Sequence, residues 1–323
     1  MPVISIIIPL YNKEVFVVEA LQSVMQQTVY HQYVGSNTDL HFTHEIIIVD
    51  DASTDGSVAH IAPFLSEGIR LVQHAENKGL SATRNEGITS AKGEWITFID
   101  ADDCWEPTFL EHIQQLIISY PNEQVFATNY VEWIGDELRN PITKALHWPK
   151  NISQLLPDVF AVNRTQGLFV HSGICLHREV YQKVGLYDEG IRFAEDLDFN
   201  IRCFLQHHLV FLNAPLVRYR MGVAGQMTET SLRNKTIPDY NKYNEACAHR
   251  SSLKGYLNFE RYVLAKHLKI DGDTRYQALV EGIDPKDLNA KQRLLLACPQ
   301  AVLLLVKTLK SKLQTWGIST SSY

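Results

Sequence analysis

The alternation of short apolar runs with helical periodicity over the first hundred residues restricts the fold more than any other feature of this chain. Residues 3–10, 45–49, 70–72 and 95–99 are predicted strands, because apolar and mainly β-branched side chains dominate them. Residues 14–27 carry apolar side chains at helical spacing. Strands that alternate with helices predict an α/β fold with a mostly parallel central sheet flanked by helices.

Further helices are predicted over 57–64 and 81–91. Residues 28–44 form a polar connection longer than the usual roughly two to six residues, so we expect a surface insertion there. From about Leu216 the alternation stops, and the remainder of the chain has a helical pattern.

Three of the predicted strands end in polar turns. Tyr11-Asn12 follows the first strand, Asp50-Asp51 follows the second, and an acidic cluster at 100–103 follows the fourth. Ligands of open α/β sheets bind at the carboxyl ends of the strands, which lie along one edge. The three turns therefore predict a single binding site at this edge.

The acidic cluster places three aspartates within four residues at the end of an apolar strand. Burying such charges is costly unless they are paired or bind a cation. Their hard oxygen ligands suit Mg²⁺ or Mn²⁺. The alternative is a polar loop in which an aspartate caps a helix that begins near Pro107.

Composition excludes some classes of protein. The formal net charge of −6 argues against general nucleic-acid binding. The five cysteines are dispersed without metal-site spacing, which is typical of reduced thiols in a cytoplasmic protein. Residues 1–10 lack a basic leader and are too short to span a bilayer, so we expect a cytoplasmic location.

Several short motifs occur in an order that resembles family 2 glycosyltransferases of the GT-A fold. The resemblance is collinear over roughly residues 3–220, about two thirds of the chain. The motifs are IPLYNKE (8–14), VDDASTDGS (49–57), NKGLSATRNEG (77–87), GEWITFIDADD (93–103), SG (172–173), GLYDE (185–189) and AEDLD (194–198).

The resemblance implies a GT-A catalytic domain over 1–220 and a helical C-terminal extension over 221–323. Within the catalytic domain, about 1–103 would bind the nucleotide-sugar and about 104–220 the acceptor. It also implies a set of residues that contact the nucleotide-sugar, namely Pro9, Tyr11, Asn12, Glu14, Asp51, Lys78, Asp100, Ala101 and Asp102.

Asp51 would accept a hydrogen bond from the base, the alternative being an Asx-turn or helix cap. For Tyr11 the alternative is a packed aromatic, and for Lys78 a solvated charge. Asp50 and Asp55 are expected to stabilise the loop and helix that follow them.

By the same resemblance, the Asp100-Ala101-Asp102 segment matches the DxD motif of the family. Asp102 would bind the metal directly, and Asp100 would bind the metal through water or contact the ribose. Asp196 would be the general base and Glu195 would orient the site. The alternative for Glu195-Asp196 is a favourable charge at a helix N-terminus.

Arg84 and Asn85 are expected to brace the loop of the acidic cluster, and residues 172–173 to line a sugar pocket. One departure concerns the segment 221–228, in which many relatives carry a His and a Ser. This chain has no His there, and either Gln226 or Thr228 could substitute.

Residues 292–314 combine short apolar runs with three lysines, Lys307, Lys310 and Lys312. Such a helix could contact an anionic membrane surface that presents a lipid-linked acceptor. The alternative is a helix packed on the catalytic core or in a homodimer.

The sequence therefore predicts an inverting, metal-dependent glycosyltransferase of the hexosyltransferase type. Its donor would be a UDP-sugar and its acceptor a glycan or lipid-linked glycan. The alternatives are a non-catalytic nucleotide-sugar-binding scaffold and a sugar nucleotidyltransferase. The turn after the first strand has no glycine, which disfavours the nucleotidyltransferase.

Overall fold

A computed structural model of the chain describes residues 3–30, 42–65, 68–223, 226 and 230–315. Ten strands in this part of the chain form one sheet. They are β1 (Val3–Leu10), β2 (Thr43–Asp50), β3 (Ile69–Gln73), β4 (Trp95–Phe98), β5 (Cys104–Trp105), β6 (Val125–Ile134), β7 (Glu137–Arg139), β8 (Ser153–Leu156), β9 (Ile174–His177) and β10 (Leu209–Met221).

Helices cover both faces of the sheet and make up most of the C-terminal region. They are α1 (Val17–Met25), α2 (Ser57–Ile61), α3 (Leu80–Ser90), α4 (Phe109–Ser119), α5 (Val159–Val162), α6 (Arg178–Val184), α7 (Glu195–Phe204), α8 (Asn244–His249), α9 (Ser251–Ile270), α10 (Tyr276–Glu281), α11 (Ala290–Ala297) and α12 (Gln300–Thr315).

The sheet is mixed, with strand order β3-β2-β1-β4-β9-β6-β10-β5, β7 pairing with β6 and β8 with β10. The first four strands in this order are parallel to one another. β9 runs antiparallel to β4 and β6, whereas β10 is parallel to β6. The carboxyl ends of β1, β2, β4, β6 and β10 therefore lie along one edge of the sheet.

The continuous apolar sequence of β1 is explained by burial on both faces of the sheet. Ile6 and Ile8 pack in the cluster that faces α1 and α4, whereas Ile7 packs in the cluster that faces α3, α7 and α9. Successive side chains of a strand point to opposite faces, so a strand covered on both sides needs an unbroken apolar run. The C-terminal helix α9 contributes Leu257 to the same core as Ile7.

Several predicted boundaries need correction. The first helix begins at Val17 rather than Glu14, and the second gives way to a 3₁₀ turn at Ala62–Phe64. Pro63 in that turn cannot continue the hydrogen-bonding pattern of an α-helix. The predicted insertion over 28–44 lies mainly outside the described residues, apart from a 3₁₀ turn at its start and the first residues of β2.

Candidate functional site

A cavity of about 360 Å³ opens at the carboxyl edge of the sheet. Its wall combines the ends of β1, β2, β4 and β10 with the start of α3 and the segment that leads into α7. The lining residues are Pro9, Leu10, Tyr11, Lys13, Asp51, Asn77, Gly79, Leu80, Thr83, Asp100, Ala101, Asp102, Ile191, Arg192, Glu195, Tyr219, Gln226 and Lys235.

Asp51 is held in the cavity wall by the loop that precedes α3. Its carboxylate accepts from the backbone N–H groups of Lys78 and Gly79, both at 2.8 Å, and lies 2.7 Å from Nδ1 of His74. This is neither an Asx-turn nor a helix cap. A carboxylate has about four acceptor positions, so roughly one stays available to a ligand.

Gly79 allows an arginine to lie against this loop. Its φ of +90° is rare for residues with a side chain, and a Cβ here would lie 1.8 Å from a guanidinium nitrogen of Arg192. Arg192 donates to the carbonyl of Lys78. Lys78 thus contributes backbone groups at the cavity, while its own side chain is not part of the wall.

Asn12 and Glu14 lie beside the cavity rather than in its wall. The Asn12 side chain accepts from the N–H of Thr54 at 2.8 Å, and the Glu14 carboxylate accepts from the N–H of Gly56 at 2.7 Å. Both residues therefore join the turn after β1 to the loop after β2. Their contact with a nucleotide stays a prediction.

Asp50 and Asp55 act within the same loop, as the sequence predicted. Asp50 accepts from the N–H of Ser53, and Asp55 accepts from the N–H and hydroxyl of Ser57 at the start of α2. Burial is the largest single influence on the pKa of Asp55 and raises it. The hydrogen bonds together outweigh burial, so the pKa lies below its usual value.

The acidic cluster does not cap a helix, because α4 begins at Phe109 and the short strand β5 intervenes. Asp103 is buried, accepts from the hydroxyl of Ser172 at 2.5 Å and accepts from the N–H of Arg220 at 3.0 Å. It thereby anchors the cluster to β10. Burial, and then repulsion from Asp100 and Asp102, raises the pKa of Asp103 well above its usual value.

Lys13 contacts the predicted metal ligand. Its Nζ lies 2.6 Å from Oδ2 of Asp102, and the two side chains are 17% and 11% exposed. The sequence motif 8–14 contained this lysine, but nothing in the sequence assigned it a role.

Arg84 connects the acidic cluster to α7. It donates to Glu195 at 2.7 Å and to Asp100 at 3.2 Å, and its side chain is 3% exposed. Burial raises the pKa of Asp100, and Asp102 raises it further, whereas the cation of Arg84 lowers it. Arg84 therefore braces the loop, as the sequence predicted. Asn85 instead donates to the carbonyl of Tyr187 at 2.9 Å, so it braces the segment before α7 and not the acidic cluster, which corrects the prediction.

Asp196 follows Glu195 in the first turn of α7. The residue before them, Ala194, has φ of +61°, a left-handed conformation that costs energy for a residue with a side chain. Burial, and then repulsion from Glu195, raises the pKa of Asp196 to about 6, although Arg84 and the N–H of Leu197 oppose this. A carboxylate with this pKa can accept a proton near neutral pH. Glu195 accepts from Arg84, and both Glu195 and Asp196 also lie in the first turn of α7, where the helix dipole favours negative charge.

The two carboxylates suit a metal ion whose coordination is completed by phosphate oxygens of the bound substrate and by water. Asp100 and Asp102 offer carboxylate oxygens at the cavity wall, and the carboxylate of Asp102 faces the ammonium of Lys13. Within the described residues no three His, Cys, Asp or Glu side chains come together as a metal site. Mg²⁺ typically takes one or two carboxylates plus phosphate oxygens and water, which fits this pair.

Three cations line the cavity: Lys13, Arg192 and Lys235. Burial lowers the pKa of Lys235, while Glu195 and Asp271 oppose this. Neither Arg192 nor Lys235 was predicted from the sequence, since both lie in segments without a recognisable motif. Gln226 lines the cavity, whereas Thr228 lies outside the described residues.

The fold resembles that of S. aureus TarS. A crystal structure of TarS in complex with UDP-GlcNAc has a TM-score of 0.55 at 17% identity, over 86% of this chain and 88% of that chain. Another TarS structure has a TM-score of 0.56 at 17% identity, over 95% of this chain and 54% of that chain. This confirms the predicted fold class, a GT-A-like sheet flanked by helices with a helical C-terminal region.

Sequence relatives are glycosyltransferases by name. The uncharacterized glycosyltransferase EpsJ of Bacillus subtilis is 27% identical over 272 residues, 79% of this chain and 75% of that protein. An uncharacterized glycosyltransferase of Haemophilus influenzae is 29% identical over 200 residues, 62% of this chain and 61% of that protein. The match thus spans about three fifths of the second relative.

The family model described as glycosyl transferase family 2 matches residues 5–185, more than half of the chain. The chain belongs to glycosyl transferase family 2. This confirms the predicted family and, at the level of the family, the predicted enzyme class of a glycosyltransferase.

Proposed function

We propose that this protein is an inverting, metal-dependent glycosyltransferase that moves a sugar from a UDP-sugar to a hydroxyl of a glycan or lipid-linked glycan. The observation that carries the proposal is one cavity whose wall contains Tyr11, Asp51, Asp102 and Glu195, with Asp196 next in the chain. The nucleotide and the diphosphate would each have a suitable partner in this wall, whereas Asp196, the proposed partner of the acceptor, is not itself among the lining residues. TarS, which shares the fold, was crystallised with UDP-GlcNAc and with UDP.

The nucleotide would bind along the ends of β1 and β2. Asp51 keeps roughly one acceptor position for a base N–H, and Tyr11, 45% exposed, offers an aromatic face on the cavity wall. The other donors to Asp51 fix its orientation before the nucleotide arrives. Such preorganisation lowers the entropic cost of binding.

The diphosphate would lie against the acidic cluster and the cavity cations. Asp102, with Asp100, would hold Mg²⁺ or Mn²⁺. The metal ion would neutralise the negative charge that develops on the departing diphosphate. Lys13, Arg192 and Lys235 offer additional positive charge. Gln226, from the segment in which many relatives carry a His, also lines the cavity.

Asp196 would remove the proton from the acceptor hydroxyl. The acceptor oxygen forms a bond to the anomeric carbon while the bond from that carbon to the diphosphate oxygen breaks, and the proton moves to the carboxylate of Asp196. A single displacement of this kind inverts the anomeric configuration. Arg84 holds Glu195 and so fixes the start of α7, which carries the base.

We propose that the C-terminal helix α12 lies on an anionic membrane surface. This contact would bring the enzyme to a lipid-linked acceptor in that membrane. Leu305 and Leu309 are 60% and 51% exposed, whereas Leu303 on the opposite side is 2% exposed. Residues 290–323 contain five Lys and Arg and no Asp or Glu, in a chain of net charge −6. An exposed apolar stripe with flanking lysines suits an interfacial helix.

Among the described residues, no helix combines the length and apolarity needed to cross a bilayer. Sedimentation with vesicles of anionic and of zwitterionic lipid tests the proposal that α12 lies on a membrane surface. Binding to the anionic vesicles should fall in the variant that carries Lys307→Glu together with Leu305→Ser. A dimer that buries the same leucines would instead change the sedimentation coefficient without vesicles.

The donor proposal is tested with a panel of nucleotide sugars, by thermal stabilisation and by hydrolysis with and without Mn²⁺. We expect a UDP-sugar to stabilise the protein and Mn²⁺ to increase the effect. If no nucleotide sugar binds under either condition, the proposal is wrong. A donor that binds without being hydrolysed or transferred would favour the non-catalytic alternative.

The role of Asp196 is tested by Asp196→Asn. Transfer should be lost while UDP binding stays close to that of the wild type, because the amide cannot accept the proton. Asp136→Asn, in the exposed turn between β6 and β7, is the matched control and should leave both unchanged. An equal loss of transfer and binding would indicate a structural role for Asp196.

A further inference from the structure

Lys13 is placed by its backbone to reach the acidic cluster. Its N–H donates to the hydroxyl of Ser57 at 2.8 Å, and its carbonyl accepts from the N–H groups of Phe16 and Val17, both at 2.9 Å. The Cα of Lys13 is thus fixed between the end of β1 and α2. Its side chain extends along the cavity wall to Asp102.

The ammonium of Lys13 lies where a divalent cation would bind. At 2.6 Å from Oδ2 of Asp102 it occupies one of the two carboxylate oxygens that can ligate a metal. Both side chains are largely shielded from water, so their attraction is less screened than that of a surface pair. A metal on Asp102 would repel the ammonium and compete with it for the same carboxylate.

The other cations near the cluster have different partners. Arg84 donates to Asp100 and Glu195, and Arg220 donates to the carbonyl of Asp102 rather than to its carboxylate. Lys13 therefore supplies the positive charge that faces the Asp102 carboxylate. Its flexible four-carbon stem lets the ammonium move elsewhere in the cavity without a change of the backbone.

We propose that Lys13 is an internal counter-ion that keeps a divalent cation off Asp102 until a nucleoside diphosphate arrives. The diphosphate offers the ammonium a new anionic partner, so Asp102 becomes free to ligate the metal as the diphosphate binds. Metal and nucleotide binding are coupled through this exchange. The inference rests on the proposed metal site at Asp102.

The test is Mn²⁺ binding to the full chain, measured by electron paramagnetic resonance with and without UDP. In Lys13→Met, Mn²⁺ should bind without UDP about tenfold more tightly than in the wild type, a magnitude typical of coupling between two ligands. The gain in Mn²⁺ affinity on adding UDP should shrink in the same variant. Lys13→Arg keeps the charge and should retain the coupling of the wild type.

Lys92→Met removes an exposed lysine outside the cavity wall and should leave Mn²⁺ affinity unchanged. If wild type and Lys13→Met bind Mn²⁺ equally and Asp102→Asn abolishes binding in both, the role of Lys13 is overturned while the metal site stands. If Mn²⁺ binds to neither protein even with UDP, the metal site is overturned together with this inference. Circular dichroism would establish that each variant is folded.

Discussion

The guanidinium of Arg84 donates to Glu195 at 2.7 Å, joining two residues that are 111 positions apart in the sequence. The same guanidinium donates to Asp100. One buried cation thus fixes the acidic cluster after β4 relative to the start of α7. The spacing of the proposed metal ligands and the proposed base depends on this arginine.

Replacing Arg84 by Met should destabilise the protein by roughly 3–5 kcal/mol, because Glu195 would be left as an uncompensated buried charge. Glu195→Gln alone leaves the arginine with Asp100 and should cost less. The double variant should be less destabilised than the sum of the two, since Glu195 is no longer a buried charge without a partner, although Asp100 still loses Arg84. Urea unfolding of the four proteins gives the coupling free energy.

The exposed pair Lys254 and Asp284 serves as the control for this cycle. A comparable cycle there should give a coupling close to the error of the measurement. An additive result for Arg84 and Glu195 would contradict the structural role of the buried pair.

The pH dependence of transfer should report the ionisation of Asp196. Because the base must be deprotonated, kcat/KM should fall below about pH 6, where the carboxyl of Asp196 takes up a proton. In Glu195→Gln the limb should move to lower pH, since one source of repulsion is removed while Arg84 remains. Initial rates from pH 4.5 to 8 would measure the acid limb of the profile in the wild type and in the variant.

A limb that stays at the same pH in Glu195→Gln would show that another group controls the profile. Glu86→Gln, in the second half of α3, is a suitable control because it removes a carboxylate that does not line the cavity. We expect its pH profile to match that of the wild type.

Gly87→Ala should be destabilising, although alanine is a better helix former. A Cβ at this position would lie 2.4 Å from Cγ2 of Ile7, at the contact between α3 and β1. Overpacking of a core contact costs about 1–3 kcal/mol. Chemical denaturation measures the change in unfolding free energy.

Adding Ile7→Ala to Gly87→Ala makes room for the new methyl group. The double variant should therefore lose less stability than the sum of the two single variants. A stabilising effect of Gly87→Ala alone would show that the helix can move away from β1 at little cost.

The stability of the protein should fall as pH rises, in part because of Glu260 in α9. Burial raises the pKa of Glu260 from 4.5 to about 8, with a further contribution from Asp196 and an opposing hydrogen bond from Tyr256. Between these two values the folded state keeps a proton that the unfolded state has released. Raising the pH across this range therefore lowers the unfolding free energy, by up to roughly 1.4 kcal/mol per pH unit.

Glu260→Gln removes this ionisation. We expect the unfolding free energy of the wild type to fall relative to that of the variant as the pH rises from 5 to 8. A constant difference would contradict the raised pKa. Comparison with the variant isolates Glu260 from other groups that titrate in the same range, such as Asp196.

The strands and the edge that carries the site could be predicted from sequence because their signals are local. The apolar run of β1 and the polar turn after it are contiguous in the chain, and parallel strands bring such turns to one edge. Tyr11, Asp51 and Asp102 lie on the same cavity wall, as this reasoning predicts. Their individual roles in binding stay predictions.

Other features of the site depend on packing between distant segments. Asn12 and Glu14 lie in the same turn after β1 as Tyr11, yet their side chains bond to the loop after β2. Lys235 reaches the cavity from a segment with no motif. No periodicity in the sequence records which side of a turn a polar side chain will face.

The sequence by itself determined the family motifs, the order of strands and helices in the first hundred residues and the collection of carboxylates at one edge, because these follow from short-range patterns. Only the tertiary structure decided which cation faces which carboxylate. Lys13 meets Asp102 across 89 residues and Arg84 meets Glu195 across 111. Charge pairing and the raised pKa of Asp196 arise from burial and distance, and both exist only once the chain is folded.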